Sequence, residues 1–245
     1  MSASQSLEKP KNQLLAALSE KDYQRLAPYL KEMELTIGQV LHVPYEPIEY
    51  VYFPHHSIVS IVTTMEDGST VEVGIVGRDG MVGIPVILGG GASPHETFVQ
   101  VPSGATQIRA SRLKRQFDQG EALQQLLLLY VQAFYTQVSQ TAACNAQHTV
   151  ELRLARWLLL IQDRIQSDTL PLTQEFISKM LGVRRPGVTD AAKALQQLGM
   201  IEYSRGKIMI VNRKALEASA CECYKTGRDE FDRLLGQGLP LRSDG

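Results

Sequence analysis

The sequence lacks the features that mark membrane, secreted or disordered proteins. Its 245 residues include three cysteines and one tryptophan, and the net charge at pH 7 is −1. No apolar run approaches the roughly 18 residues of a membrane-spanning helix, and the polar first residues contain no apolar signal core. Three cysteines do not form a paired disulfide framework, so we expect a cytoplasmic protein. An apolar content of 44% excludes general disorder.

The small net charge conceals an uneven distribution along the chain. The segment from His148 to Lys214 holds eleven Lys and Arg residues against six Asp and Glu residues, which gives +5 there and −6 elsewhere. A basic module joined to an acidic one points towards a polyanionic partner.

Short β-rich runs dominate the first half of the chain. Helical spacing predicts a helical segment from Leu14 to Met33, after which strands recur about every ten residues. The predicted strands are Val40–Val43, Tyr50–Phe53, Ile58–Val62, Thr70–Val76 and Thr97–Val101. The Asp67-Gly68 pair between two of them is a hairpin signal. This pattern indicates a small antiparallel barrel or sandwich.

A long helix is predicted from Asp118 to Gln147, and its apolar surface is wider than one stripe. Such a helix needs cover on two sides. It is either a core helix within one domain, or a helix that packs on the β-domain and pairs with its twin in a dimer. The residues expected to form the dimer helix contacts are Leu127, Tyr130, Phe134, Val138 and Thr141.

The segment from Leu172 to Val211 has the pattern of a winged helix-turn-helix. A helix from Thr173 to Leu181 ends at Gly182, which suits a left-handed turn, and a second helix runs from Pro186 to Leu198. Two short strands then flank the basic tip Ser204-Arg205-Gly206. In DNA-binding proteins of this kind the second helix enters the major groove.

Arginines stand at the end of the second helix that meets base edges. Arg184 and Arg185 can each bind guanine through two hydrogen bonds, whereas Thr173 and Arg205 are suited to phosphates. The alternative is a regulatory module whose winged helix contacts protein. The complete candidate DNA-contact set is Thr173, Ser178, Arg184, Arg185, Pro186, Gly187, Thr189, Asp190, Lys193 and Arg205.

A β-rich sensor, a long helix and a winged helix-turn-helix in this order resemble the Crp/Fnr family of bacterial transcription regulators. The stretch from Leu172 to Ile201 is similar to that family's DNA-reading signature, in which Arg185 matches the base-reading arginine and Lys193 and Thr173 match phosphate-facing positions. Pro186 stands where the family commonly has Glu, and Gly187 follows it, so the usual half-site is not assumed.

The resemblance implies an α+β fold with three parts. Residues 1–117 would form a cyclic-nucleotide-binding-like β-roll, 118–147 the dimerisation helix, and 148–245 the winged domain with a C-terminal helix. It also implies a homodimer that reads a pseudo-palindromic DNA site, with RNA polymerase as a further candidate partner and no membrane association.

The expected nucleotide pocket is degenerate. Ile84 stands where the nucleotide-binding members have Glu, and His95-Glu96 stands in place of the phosphate-binding Arg-Ser pair. A carboxylate facing a buried phosphate is unfavourable, so the usual mode of cAMP binding is not expected. The pocket candidates are Met81, Val82, Gly83, Ile84, His95, Glu96 and Thr97.

Cysteine and histidine give no clear cofactor signal. An iron–sulfur cluster would need about four thiolates, whereas the chain has Cys144, Cys221 and Cys223. The last two, one residue apart on a predicted helix from Lys214 to Leu235, are expected to face different ways. This favours inert packing over a thiol switch or part of a metal site.

No metal or cofactor is therefore predicted, and the effector is unknown. A haem ligand stays open among His42, His55, His56, His95 and His148. The sequence shows no pairing of a nucleophile with a base, no metal triad and no phosphate loop, so an enzyme is not expected.

Overall fold

The N-terminal half of the chain is a β-roll of two antiparallel sheets. The computed structural model describes residues 10–165 and 167–236. One sheet has the strand order β1–β7–β3, and the other has the order β2–β6–β4–β5. The strands are β1 (Lys31–Leu35), β2 (Val40–His42), β3 (Tyr50–Pro54), β4 (Ile58–Thr64), β5 (Thr70–Val76), β6 (Glu96–Val101) and β7 (Ser103–Arg109). Gly68 has φ +80 in the tight turn between β4 and β5, as the Asp-Gly signal predicts.

The predicted helical segment from Leu14 to Met33 extends past Tyr29, the last helical residue before β1. Helices α1 (Gln13–Ala17) and α2 (Glu20–Leu26) and a short 3₁₀ turn (Ala27–Tyr29) are followed by β1 from Lys31. Strand β1 forms because it pairs in register with β7, more than sixty residues further along the chain. The spacing of apolar residues within one segment cannot predict a pairing with a strand so far along the chain.

Apolar side chains fill the interior of the roll. Seven buried residues form a cluster between the sheets: Leu35, Tyr52, Val59, Val76, Val82, Val99 and Ala105. Helices α3 (Ile84–Leu88) and α4 (Ala110–Phe117) close the roll on the side of the long helix. The β-roll therefore has a packed apolar cluster between its two sheets.

The long helix α5 (Ala122–Gln147) is covered on two sides by its own chain. One side packs on the roll, where Tyr130 is 1% exposed and its hydroxyl donates to the carbonyl of Met81 at 3.0 Å. The C-terminal helix α10 (Glu222–Leu235) covers the second side, where Phe231 meets Tyr130 edge to face. The assignment of Leu127 and Tyr130 to the dimer contacts is wrong, because both are buried in this intramolecular core.

The C-terminal part is a winged helix-turn-helix followed by two helices. Its elements are α6 (Val150–Ile165), β8 (Thr169–Leu170), α7 (Gln174–Leu181), α8 (Arg185–Gln197), β9 (Ile201–Ser204), β10 (Lys207–Ile210) and α9 (Arg213–Ser219), before α10. The predicted single tail helix is two helices, because the chain is extended at Ala220 and Cys221. Strand β8 adds a third strand to the wing, in the order β8–β10–β9.

The sensor and the winged domain share one apolar core. Ile58, Val62 and Ile75 of the roll are buried together with α6, α7 and α8. The long helix, the roll and the winged domain thus form one continuous packed unit. Among the described residues, no helix combines the length and the apolar content needed to cross a membrane.

Candidate nucleic-acid interface

The helix-turn-helix is built from the local signals that the sequence predicts. The hydroxyl of Thr173 accepts a hydrogen bond from the amide of Phe176 at 3.2 Å and so caps α7. Gly182 ends that helix with φ +60, a backbone conformation that favours glycine. Pro186 lies in the first turn of α8, where a missing amide hydrogen costs nothing.

The first turn of α8 presents its cations to solvent. Arg184 and Arg185 are exposed at this end of the helix, and Lys193 lies exposed two turns further on. Asp190 is exposed between them, while the other face of α8 packs on α6. This is the distribution that a helix needs in order to lie in a charged groove with its apolar side covered.

Besides Thr173, three further residues of the predicted contact set have bonds or contacts within the structure. Thr189 is half-buried, and its hydroxyl donates to Gln174 Oε1 at 2.9 Å, which joins α8 to α7. The hydroxyl of Ser178 donates to the Glu175 carbonyl at 2.7 Å. Gly187 is also half-buried beside Val150. These residues support the geometry of the two helices more directly than they offer groups to a ligand.

The tip of the wing lies beside the start of α7. Arg205 is exposed at the tip with φ +49, and Gly206 follows it with φ +75. A Cβ atom on Gly206 would lie 3.4 Å from Cγ2 of Thr173. Thr173 and the wing tip therefore form one corner, where a helix N-terminus and an arginine are available to a single anion.

The turn of the helix-turn-helix rests on the sensor. A Cβ atom on Gly182 would lie 3.0 Å from Cγ2 of Val71 on β5. Phe176 of α7 packs edge to face on Phe98 of β6, with ring centroids 6.3 Å apart. The guanidinium of Arg153 on α6 donates to the Leu181 carbonyl at the end of α7. The position of α8 is thus fixed from both the sensor and α6.

The residues expected to line a nucleotide pocket are mostly engaged in packing. Met81 and Val82 are buried in the roll, and a Cβ atom on Gly83 would lie 2.9 Å from Cγ2 of Val51. His95 Nδ1 lies 3.0 Å from the hydroxyl of Thr63. A cavity of about 990 Å³ lies elsewhere and is lined by residues of α1, α5, α6 and α10. The residues predicted to line a nucleotide pocket are therefore held by packing and hydrogen bonds, away from this cavity.

The face of α5 that stays exposed has a regular spacing, and α10 reaches its edge, where the side-chain amide of Gln132 donates to Glu230 Oε1 at 3.3 Å. The exposed residues of this face recur at alternating steps of three and four, the period of a coiled-coil seam. They are Gln125, Leu128, Gln132, Tyr135, Ser139, Ala142 and Ala146. Leu128 is 47% exposed and Tyr135 is 72% exposed. The sequence analysis missed this face, although the spacing itself was visible in the sequence.

The three cysteines are brought together with a histidine. Cys144 lies in the last turn of α5, and His148 is the residue that follows this helix. Cys221 immediately precedes α10, and Cys223 lies in its first turn. One ligand atom from each of the four residues lies within 4.8 Å of the others. The expectation that Cys221 and Cys223 face apart is wrong, because Cys221 is the extended residue before α10 and is not constrained by helical spacing.

Comparison with known families supports two domains in the order described. Residues 32–120 match the family of cyclic nucleotide-binding domains, and residues 152–219 match the family of Crp-like helix-turn-helix domains. Together the two matches cover well over half of the chain. No curated protein matches the chain significantly in sequence.

Solved structures share the fold over most of the chain. FixK2 from Bradyrhizobium japonicum has a TM-score of 0.67 at 16% identity, over 78% of this chain and 98% of its own. A CRP-family transcriptional regulator from Thermus thermophilus, TTHB099, gives 0.64 at 17% identity, over 78% and 96%. The c-di-GMP responsive regulator CLP from Xanthomonas campestris gives 0.62 at 15% identity, over 78% and 99%. Identities this low show a common fold and no more.

Proposed function

Because this chain belongs to the Crp/Fnr family of transcription regulators, we propose that it binds specific double-stranded DNA sites as a homodimer and regulates transcription from them. The observation that carries the proposal is the exposure of Arg184 and Arg185 together at the start of α8. The wing tip and the start of α7 supply a second cationic corner on the same domain. A cyclic nucleotide-binding domain followed by a Crp-like helix-turn-helix domain is the combination found in transcription regulators and not in enzymes.

Bases and phosphates would be read by different groups. Helix α8 would lie in the major groove with Arg185 donating to the O6 and N7 atoms of guanine, and Arg184 and Asp190 beside it. Thr173, Lys193 and Arg205 would bind phosphates and fix the position of the helix on the duplex. Pro186 and Gly187 have no side-chain group that could hydrogen-bond to a base. We therefore expect the protein to recognise few base pairs in each half-site.

The homodimer would form along the exposed face of α5. Two copies of the seam from Gln125 to Ala146 would pair about a twofold axis, with Leu128 and Tyr135 as its larger apolar residues. Ala142 and Ala146 would allow the ends of the helices to approach closely. A twofold dimer presents two copies of α8 to a pseudo-palindromic site, with half-sites spaced by whole helical turns.

The sensor would respond to a ligand other than cAMP bound in the usual way. Apolar packing around Gly83 and the carboxylate of Glu96 both oppose a cyclic phosphate there. Residues 1–117 would act as the sensor, 118–147 as the dimer helix and 148–245 as the reading domain. We further propose that the protein acts in the cytoplasm, with RNA polymerase as a partner of the bound dimer.

Selection of duplexes from a random library tests the proposal. The full-length protein should enrich a pseudo-palindromic sequence, and its affinity for that sequence should fall steeply as salt rises, because bound Lys and Arg release counterions from the DNA. Recovery of no enriched sequence, together with no salt-sensitive affinity, would instead favour a winged helix that contacts protein.

A further inference from the structure

Three thiols and one imidazole from two separate parts of the chain converge at the end of α5. The Sγ atoms of Cys144 and Cys221 are 3.5 Å apart, and the Sγ of Cys223 is 3.6 Å from Nδ1 of His148. All three cysteines are buried free thiols, and His148 is half-buried. Thiols are weak hydrogen-bonding groups, so mutual hydrogen bonding is a poor reason for such a cluster.

We propose that Cys144, His148, Cys221 and Cys223 bind one zinc ion in a tetrahedral Cys₃His site. Such sites have Zn–S bonds of about 2.3 Å and Zn–N bonds of about 2.0–2.1 Å. Tetrahedral geometry then separates two sulfur ligands by about 3.8 Å and a sulfur from the nitrogen by about 3.6 Å. The Cys144–Cys221 separation of 3.5 Å and the Cys223–His148 separation of 3.6 Å lie within about 0.3 Å of these values. No pair of ligand atoms is more than 4.8 Å apart.

The spacing of the sulfur atoms argues against an iron–sulfur cluster. A four-iron, four-sulfide cluster places its own atoms between the thiolates and so holds them farther apart than a single ion does. Cys144 and Cys221 at 3.5 Å leave no room for that core. Thiolate and imidazole ligands in a tetrahedron are the set typical of zinc.

The surroundings of the cluster suit a structural metal. The free ring nitrogen of His148, Nε2, lies 3.4 Å from a carboxylate oxygen of Glu222. A carboxylate in that place orients a ligating histidine through its other ring nitrogen. Arg156 is buried nearby and donates to Thr141, one turn before Cys144. Its positive charge would offset the net −1 of three thiolates and one divalent ion.

The proposed site would close a long loop. Cys144 and Cys221 are 77 residues apart, and the helix-turn-helix and the wing lie between them. Zinc would therefore join the end of α5 to the start of α10 and hold both ends of the reading domain at one point. The four side chains would occupy all four coordination positions of the ion. No position would be left for water or a substrate, as in structural zinc sites.

Metal analysis of the full-length protein, purified with a reductant, tests the proposal. We expect about one zinc per chain by mass spectrometry of the metal. After zinc is removed, titration with Co²⁺ should give the visible and thiolate charge-transfer bands of a tetrahedral site. Chelator competition should show that His148→Ala and Cys223→Ser each weaken zinc binding by about 100-fold or more.

Conservative variants separate ligation from folding. His148→Cys should keep the zinc, because a Cys₄ site is equally suited to it, and Glu222→Gln should weaken binding by roughly tenfold. His56→Ala is the matched control, since His56 is an exposed imidazole outside the cluster, and it should bind zinc as the wild type does.

Three outcomes would overturn the assignment. One is a protein that contains no zinc and gives no thiolate bands with Co²⁺. Another is iron with acid-labile sulfide in protein purified without oxygen. The last is a Cys144–Cys221 disulfide in the protein isolated from cells, detected by mass spectrometry of peptides. None of these results depends on DNA binding, so the site and the proposed function fail separately.

Discussion

The indole Nε1 of Trp157 donates a hydrogen bond of 2.7 Å to Oε1 of Glu72, and so joins α6 of the winged domain to β5 of the sensor. Glu72 is 6% exposed, and its other carboxylate oxygen has no hydrogen-bond partner among the described residues. Burial raises the pKa of Glu72 from 4.5 to about 7. The contact between the domains therefore contains a carboxyl group that changes charge near neutral pH.

Stability should fall between acidic and neutral pH because of this group. The unfolded chain loses the Glu72 proton near pH 4.5, whereas the folded chain keeps it until about pH 7. The favourable contribution is complete below pH 4.5 and is lost as the pH rises to 7. Glu72→Gln keeps an acceptor for Trp157 and does not ionise. As the pH rises from about 5 to about 8, we expect its free energy of unfolding to increase relative to that of the wild type by on the order of 3 kcal/mol.

Urea unfolding of both proteins at several pH values measures this difference. Glu66→Gln is the matched control, because Glu66 is exposed in the hairpin that leads to β5. It should follow the wild-type curve. Parallel curves for wild type and Glu72→Gln would show that Glu72 is already ionised in the folded protein at acidic pH.

Arg185→Ala should reduce affinity for the selected DNA site by about 1–3 kcal/mol and change non-specific affinity much less. The reason is that the guanidinium would contact base edges rather than phosphates. Fluorescence anisotropy with a specific and a scrambled duplex measures both affinities. Arg115→Ala, at an exposed arginine on α4, is the control and should bind both duplexes normally. Equal losses on the two duplexes would make Arg185 a phosphate contact.

Tyr135→Glu should dissociate the proposed homodimer and raise its Kd by about 100-fold or more, because two like charges would be buried against each other in the proposed seam. Sedimentation equilibrium measures this Kd. Ile37→Glu changes another exposed apolar residue, which lies on the sensor, and should leave the dimer intact. A dimer that tolerates Tyr135→Glu would have its interface elsewhere.

Leu127→Ala should act on folding instead of assembly. Leu127 is buried where α5 packs on the roll, and truncation of a buried leucine costs about 2–5 kcal/mol. We expect a lower free energy of unfolding with an unchanged dimer Kd, measured by urea unfolding at several protein concentrations. A change in the Kd alone would restore Leu127 to the dimer interface.

Addition of cAMP should leave the melting temperature unchanged. A ligand at about 100 times its Kd stabilises the folded state by about 2.7 kcal/mol, so about 1 mM cAMP would reveal any Kd of about 10 μM or tighter. The double variant His95→Arg/Glu96→Ser, which restores the phosphate-binding pair of the nucleotide-binding members, tests whether these two residues alone prevent binding. A clear rise in the melting temperature of wild type would contradict the degenerate pocket.

The sequence predicted the elements whose signals are local. Thr173 caps α7 and Gly182 ends it as expected, since cap and left-handed preferences depend on a few neighbouring residues. The hairpin at Gly68 followed for the same reason. The Crp/Fnr resemblance then supplied the order of the domains.

The wrong predictions concern which part of the protein packs against a given helix face. Spacing identified α5 as apolar on two sides, yet it did not say that α10 of the same chain covers one of them. Leu127 and Tyr130 were therefore assigned to a second copy. The cysteine cluster was missed because it depends on α10 running back along α5, a contact across 77 residues.

The packing of α10 on α5 also limits how the winged domain can move relative to the long helix. Helix α6 leaves α5 directly, and the far end of the domain is fastened to the same helix through Phe231 and Leu235. A rotation of the winged domain about the junction at Thr149 would have to separate α10 from α5 and expose Phe231 and Leu235 to water. Reorientation of α8 would then be an all-or-none rearrangement with a substantial energetic threshold, rather than a graded tilt.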